Sequence, residues 1–342
     1  MDGLNSSMNK QFFTYNHPLQ LEAGRTLPAV EVAYHTYGTL NKDKSNVIWI
    51  CHALTANSDV FDWWASLCGE GKKYNPKEHF IVCANILGSP YGSSSSLSIN
   101  PSTKEPYFST FPQITIRDMV QMHIVLRKHL DIEKIDTIIG GSMGGYQPME
   151  WVLTEPKVFD KMILISTNGK ESAWGIAVHT AQRLAIETDP TWRDMNPNAG
   201  AKGLKTARAI GMLMYRNYET YVKTQTDNDQ KLDNYKASSY LHHQGDKLVK
   251  RFNAYSYWIL TKAMDSHNIS RNRGTLESVL KSIKTKTLII GISSDMLCPV
   301  AEQKFLAQNI PDSKFIEIDS PYGHDGFLIE GKTIGEIIEK NF

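Results

Sequence analysis

The run Thr137-Ile138-Ile139-Gly140-Gly141-Ser142-Met143-Gly144-Gly145 constrains this chain more than any other stretch. A short β-branched segment ends in a glycine-framed serine, and a helical pattern begins immediately after it. Gly140, Ser142 and Gly144 form G-x-S-x-G, in which the serine occupies a sharp strand-to-helix turn. Its neighbours two residues away must lack a Cβ if strand and helix are to pass closely. The helix that follows aims its N–H groups and positive dipole end at the serine, where negative charge develops during acyl transfer. Alone, the five-residue pattern also fits a plain glycine turn ahead of a helix. The flanking strand and helix, with two partners downstream, favour a nucleophile elbow.

The rest of the chain reads as an α/β protein. Ala29 to Tyr37 alternates and predicts an antiparallel edge strand. Val47 to Cys51 and Phe80 to Leu87 are nearly continuous apolar runs, as are Met162 to Ile165 and Thr287 to Ile292. Such runs are expected of strands covered on both faces. Thr115 to Leu130 and Tyr146 to Val152 have helical spacing, and Phe315 to Ile318 with Phe327 to Ile338 predict a last strand and a closing helix. Strands alternating with helices imply right-handed crossovers and a mostly parallel sheet with helices on both faces. Between about Asn168 and Lys281 the buried-strand runs vanish, and helices are predicted over Ala173 to Thr188, Leu204 to Tyr221 and Asp246 to Met264. This divides the chain into a core over 1–167, a helical lid over 168–281 and the remainder of the core over 282–342. The alternative is an independent helical module. The run Ser93 to Ser96 reads either as a polar loop or as part of an acyl entrance.

Two residues complete the chemistry in chain order. Asp295 follows the strand ending at Ile292, and His324 follows the strand ending at Ile318. Singly, each is an ordinary turn or surface residue. Together with Ser142 they give the nucleophile, acid, base order of an α/β-hydrolase, with His324 as general base and Asp295 fixing its tautomer. Cys51 and His52 are strand neighbours pointing to opposite faces, so they form no dyad. No H-x-x-x-H or H-E-x-x-H spacing occurs, which argues against a metal site, and no phosphate-binding glycine loop of the Walker type is present.

Composition excludes other classes. With 37 basic and 36 acidic residues the net charge is +1, so neither nucleic acid nor an anionic membrane is an expected partner. The four cysteines lack C-x-x-C spacing and read as buried thiols of a reducing compartment. No signal peptide or bilayer-length apolar run is visible, so the expected location is the cytoplasm.

Several motifs go beyond G-x-S-x-G: Cys51-His52-Ala53-Leu54-Thr55, Ser98-Ile99-Asn100-Pro101, Ile114 to Val120, Gly140 to Gly145 with Glu150-Trp151, and Gly323 to Leu328. Gln244 to Lys247, Arg251-Phe252 and Ser256 to Asp265 join them. Together they resemble the homoserine O-acetyltransferases of the α/β-hydrolase type, over almost the whole chain from about Leu19. The resemblance implies a ping-pong reaction with no cofactor, in which Ser142 takes acetyl from acetyl-CoA and passes it to the hydroxyl of L-homoserine, an early step toward methionine. It also implies an oxyanion hole from the backbone N–H groups of Leu54 and Met143. Arg208 and Tyr215 match the family's lid positions, with the arginine on the substrate carboxylate, and Asp325 matches the position that holds its ammonium. Without the resemblance, Arg208 and Asp325 read as a solvated helix residue and a turn residue. Members of the family are commonly dimers, which implies a homodimer through the lid.

Two loops, Gly88 to Ser96 and Ala56 to Asp59, depart from the family's commoner patterns. Relatives that use succinyl-CoA or L-serine share the triad, so both remain alternatives, as does an ester or thioester hydrolase. A binding protein that has merely kept the fold predicts a Ser142 unreactive toward fluorophosphonates.

Overall fold

The computed structural model describes residues 10–342. Eight strands form one sheet: β1 Gln11–Tyr15, β2 Val30–Tyr37, β3 Val47–Cys51, β4 Phe80–Ala84, β5 Ile135–Gly141, β6 Phe159–Ile165, β7 Lys286–Ile292 and β8 Ser313–Ile318. Their order across the sheet is β1-β2-β4-β3-β5-β6-β7-β8. From β4 to β8 all pairings are parallel, whereas β2 runs antiparallel to both β1 and β4.

The apolar runs are strands covered on both faces, and their alternation builds two cores. Val47, Trp49 and Cys51 of β3 pack on one side with Ile138, Met162 and Ile289. Ile48 and Ile50 pack on the other with Ile139, Ile163 and Ile290. Helices α1 Ile116–His129 and α2 Met143–Thr154 cover the first side, contributing Met119, Met149 and Trp151. The C-terminal helix Gly331–Asn341 covers the second with Ile334 and Ile338. This is the mostly parallel α/β architecture with helices on both faces that the sequence predicts.

Several motif residues prove to be structural. Thr115 caps α1 in a reciprocal box with Asp118, whose other carboxylate oxygen accepts the Glu22 N–H at 2.8 Å. Glu150, buried on α2, is bound by Arg117 at 3.1 Å and by Arg273 at 2.5 Å, while Glu22 binds Arg117 and Arg271. These pairs tie the N-terminal turn, α1, α2 and the segment before β7 together.

Six helices lie between β6 and β7: α3 Ala173–Glu187, α4 Ala201–Tyr215, α5 Tyr218–Gln225, α6 Lys236–Val249, α7 Ala254–Asp265 and α8 Leu276–Ser282. Two of the expected helices are therefore broken. Leu204 to Tyr221 divides at Arg216-Asn217, because the Asn217 side chain accepts the Thr220 N–H and starts α5. Asp246 to Met264 divides likewise, with Asn253 accepting the Ser256 N–H at the start of α7. The closing helix starts at Gly326, breaks at Glu330 and resumes at Gly331.

Val30–Tyr37 is also not the sheet edge. β1 lies outside it, and its residues are buried on both faces apart from Glu31. Beyond its pairing with β4, the serine run completes the hydrogen bonding of β2. The Ser93 and Ser94 hydroxyls accept the backbone N–H groups of Ala33 at 3.0 Å and Glu31 at 2.9 Å. The run is thus a strand-capping loop, and it contributes nothing to the lining of the Ser142 cavity.

Candidate active site

All parallel strands end at the same edge, and the register aligns their carboxyl ends: Cys51 of β3 pairs with Gly140 of β5, and Gly141 with Ile165 of β6. In an open α/β sheet this edge is where ligands bind. Ser142 leaves β5 there with φ 56° and ψ −131°, a left-sided conformation that a side chain rarely adopts. The surrounding glycines are sterically required. A Cβ on Gly140 would fall 2.0 Å from the Gly144 carbonyl oxygen, and one on Gly144 would fall 2.3 Å from that of Cys51. The strained turn is fastened by the Thr167 hydroxyl, which donates to the Ser142 carbonyl at 2.9 Å.

His324 and Asp295 arrive from the ends of β8 and β7. His324 Nδ1 donates to Asp295 Oδ2 at 2.7 Å. Asp295 Oδ1 accepts the Leu297 and Cys298 N–H groups at 2.9 and 2.8 Å, which fixes the carboxylate. That bond leaves Nε2 of His324 as the free basic nitrogen, and it is buried with no hydrogen-bond partner among the described residues. Burial disfavours the imidazolium, but the Asp295 charge and hydrogen bond, with Asp325 nearby, outweigh it and raise the His324 pKa above its ordinary value.

A cavity of about 90 Å³ is bounded by Ser142 and His324 together with Leu54, Arg208, Tyr215 and Asp325. Six of the residues expected from the sequence therefore meet at one cavity, while Asp295 stands behind His324 and Met143 at the start of α2. Met143 opens α2, so its N–H has no intrahelical acceptor. Leu54 is the third residue past β3, in a loop held by Arg251, whose guanidinium donates to the Thr55 carbonyl at 2.6 Å. Among the described residues neither the Leu54 nor the Met143 N–H is engaged by another backbone carbonyl. The Arg208 guanidinium stands 5.5 Å from the Tyr215 ring centre, and that ring lies 6.0 Å from the His324 ring.

Other residues at the cavity are not signalled by the sequence pattern. His179 of α3 lines it, with Nδ1 2.9 Å from Asp265 Oδ1, and Arg183 binds the other oxygen of Asp265 at 2.5 Å. The only trace in the sequence is polar residues at i and i+4 on a helix face that turns out to be buried. Arg216, 2.9 Å from Asp325 through Nε, is likewise absent from the sequence reading. Asp325 is thus already paired. Burial raises its pKa, and Arg216, Arg208 and His324 oppose that rise without cancelling it.

His52, beside Cys51, is a structural residue. Its Nε2 accepts the Ile86 N–H at 3.1 Å, its Nδ1 donates to the Ala53 carbonyl at 2.8 Å, and burial pushes its pKa down to about 4. All four thiols are free and buried. Among the described residues no group of three or more His, Cys, Asp or Glu is arranged to hold a metal ion.

This arrangement can run acyl transfer: a nucleophile at a helix N-terminus, a base with a fixed tautomer, and opposite charges at the mouth. Comparison with known proteins agrees. The alpha/beta hydrolase fold family matches residues 46–330. Homoserine O-acetyltransferase of Cyclobacterium marinum is 46% identical over 98% of this chain and 96% of its own. That of Chlorobaculum tepidum is 44% identical over 96% of this chain and 93% of its own. The crystal structure of homoserine O-acetyltransferase from Bacillus anthracis superposes with a TM-score of 0.88 at 25% identity, covering 97% of each chain. With 46% identity over nearly its whole length, a matching fold and the serine, histidine and aspartate at one sheet edge, the chain belongs to the homoserine O-acetyltransferase family of α/β-hydrolase proteins.

Proposed function

We propose that the protein is a homoserine O-acetyltransferase that carries acetyl from acetyl-CoA to the hydroxyl of L-homoserine through an acetyl-Ser142 intermediate, in methionine biosynthesis. The observation that carries this reading is the single cavity in which Ser142 and His324 share space with Arg208 and Asp325, side chains of opposite charge suited to the two ends of an amino acid. Identity of 44–46% to homoserine O-acetyltransferases over nearly the full length supports the acetyl donor and homoserine acceptor over the succinyl and serine alternatives.

In the first half-reaction His324 Nε2 takes the Ser142 proton as Oγ attacks the thioester carbonyl, and the Leu54 and Met143 N–H groups receive the oxyanion. The C–S bond breaks, CoA thiolate leaves, and His324 returns the proton to sulfur. In the second, His324 deprotonates the γ-hydroxyl of homoserine, whose oxygen attacks the acetyl-serine carbonyl. Ser142 leaves, recovering the proton from His324, and O-acetylhomoserine is released. Arg208 holds the acceptor carboxylate and Asp325 its ammonium, and Tyr215 walls the site between Arg208 and His324. No cofactor takes part, since the acyl group arrives on its own carrier.

Residues 168–281 act as a lid that keeps water from the acetyl-enzyme, over a core of 1–167 and 282–342. Two copies pair through the lid, where Leu213, Tyr218, Val222 and Tyr235 are exposed. The location is the cytoplasm, in keeping with four buried free thiols. No helix among the described residues is long and apolar enough to cross a membrane.

The test is intact-protein mass spectrometry after mixing with acetyl-CoA alone. An acetyl adduct that L-homoserine discharges, absent in Ser142→Ala, is expected. Undiminished O-acetylhomoserine formation by Ser142→Ala would mean direct transfer and overturn the covalent mechanism.

A further inference from the structure

Arg216 is the residue immediately after α4, the helix that carries Arg208 and Tyr215, and its Nε lies 2.9 Å from Asp325 Oδ2. The two segments are pressed together by design of the turn. Gly323 has φ 63°, and a Cβ there would fall 2.9 Å from the Tyr215 carbonyl oxygen, so only glycine allows the His324 turn to lie against the end of α4. The Thr220 hydroxyl donates to the Pro321 carbonyl and fastens the start of α5 to the same turn. Asp325 Oδ2 therefore has Arg216 as its ion-pair partner on the lid side, a charge contact in which Nε makes no hydrogen bond among the described residues.

We propose that Arg216 is a positioning residue for the acceptor's amino group: its guanidinium, 2.9 Å from one oxygen of Asp325, keeps that carboxylate charged and in place to meet the ammonium. The inference rests on the acceptor reading above. One helix end then supplies both halves of amino-acid recognition, the carboxylate clamp directly through Arg208 and the ammonium clamp at one remove through Arg216.

The electrostatics call for such a partner. A carboxylate in this buried position resists ionisation, and a protonated Asp325 has no charge for an ammonium. The groups that bear on it are Arg216, Arg208 and His324, which favour its charge, and Asp295, which opposes it. Tyr215 shares its cavity, and Tyr221 and Tyr240, whose phenols are pushed above their ordinary range chiefly by burial, lie near it too; none of the three adds a cation. Arg216 is the strongest of the three favourable groups and the one in direct contact.

Arg216, which does not line the catalytic cavity, borders a separate hollow of about 150 Å³ with Thr220, Tyr221, Thr224, Gln225 and Tyr240. A small cation can reach the arginine's place from there. That opening makes the proposal testable by chemical rescue.

The experiment measures Ser142 acetylation from acetyl-CoA and the KM for L-homoserine across pH in wild type, Arg216→Ala and Arg216→Lys, with and without millimolar guanidinium. Arg216→Ala should raise the homoserine KM at least about tenfold, as expected for stripping a buried carboxylate of its cation. Acetylation, which involves no amino group, should slow less than about threefold. Affinity should recover as pH rises and Asp325 ionises again, and guanidinium should restore it; Arg216→Lys should lie between. An unchanged homoserine KM in Arg216→Ala, or equal losses in both half-reactions with no response to pH or guanidinium, would overturn the proposal. Should the alanine variant fail to fold, an Arg216→Lys protein with wild-type KM and pH dependence would overturn it equally. Wild-type turnover that does not depend on homoserine would instead refute the acceptor reading, and this inference with it.

Discussion

His324 Nδ1 and Asp295 Oδ2 are 2.7 Å apart, and the second oxygen of that carboxylate is tied to two backbone N–H groups, so the imidazole tautomer is set by the loop after β7. The base nitrogen points to the cavity because the other nitrogen is anchored.

Asp295→Asn should therefore present the wrong tautomer and lower kcat about 10²–10⁴-fold, with little change in fold. The pH profile provides an independent readout. Catalysis needs neutral His324, whose pKa is raised, so activity rises with pH through a midpoint above the ordinary imidazole value of 6.5. Removing the Asp295 charge takes away the main group favouring the imidazolium, so the acid limb should move to lower pH even as the maximum falls. Rapid-quench measurement of Ser142 acetylation against pH checks both. An acid limb that stays in place in Asp295→Asn would mean that another group controls it.

Gly144→Ala tests the elbow. Its Cβ would fall 2.3 Å from the Cys51 carbonyl oxygen, in backbone that has no room to give. Relieving the clash must push α2 off β3, at a cost of about 2–4 kcal/mol. Denaturant unfolding should register that loss, and acetylation should fall because the Met143 N–H moves with the helix.

Arg208→Gln removes the charge proposed to hold the acceptor carboxylate. The homoserine KM should rise about 30-fold or more, as for loss of a buried charge-assisted contact, while Ser142 acetylation changes much less. Steady-state kinetics with homoserine and with an acceptor alcohol lacking the carboxylate separates the cases. The alcohol should be used equally well by both enzymes.

The strands from β3 to β7 are legible because a parallel sheet buries both faces, and a run such as Val47-Ile48-Trp49-Ile50-Cys51 has few other uses. β1 is not, since Gln11–Tyr15 is a short edge strand with Phe12 exposed, set in a polar, mixed stretch of sequence. The breaks at Asn217 and Asn253 escaped notice because apolar periodicity continues across them, and only the capping hydrogen bond marks the new helix. Ser142, Asp295 and His324 were legible from chain order and strand ends. Arg208, Tyr215 and Asp325 depended on family resemblance, since an arginine on a helix and an aspartate in a turn are chemically ordinary until the fold brings them together. Arg216 has no sequence signal and His179 only the i, i+4 pairing with Arg183, because what distinguishes each is a partner distant in the chain: Asp325 for the first and Asp265 for the second. The serine run leaves two readings open for a similar reason, its partners being the N–H groups of β2.

The most direct measurement of the central claim is CoA release by the purified protein, crossing acetyl-CoA and succinyl-CoA with L-homoserine, L-serine and no acceptor, with products identified by mass spectrometry. The account predicts acetyl-CoA turnover that requires L-homoserine, yields O-acetylhomoserine and disappears in Ser142→Ala. Equal CoA release without any acceptor would contradict it, marking a thioester hydrolase and removing the roles given to Arg208 and Asp325.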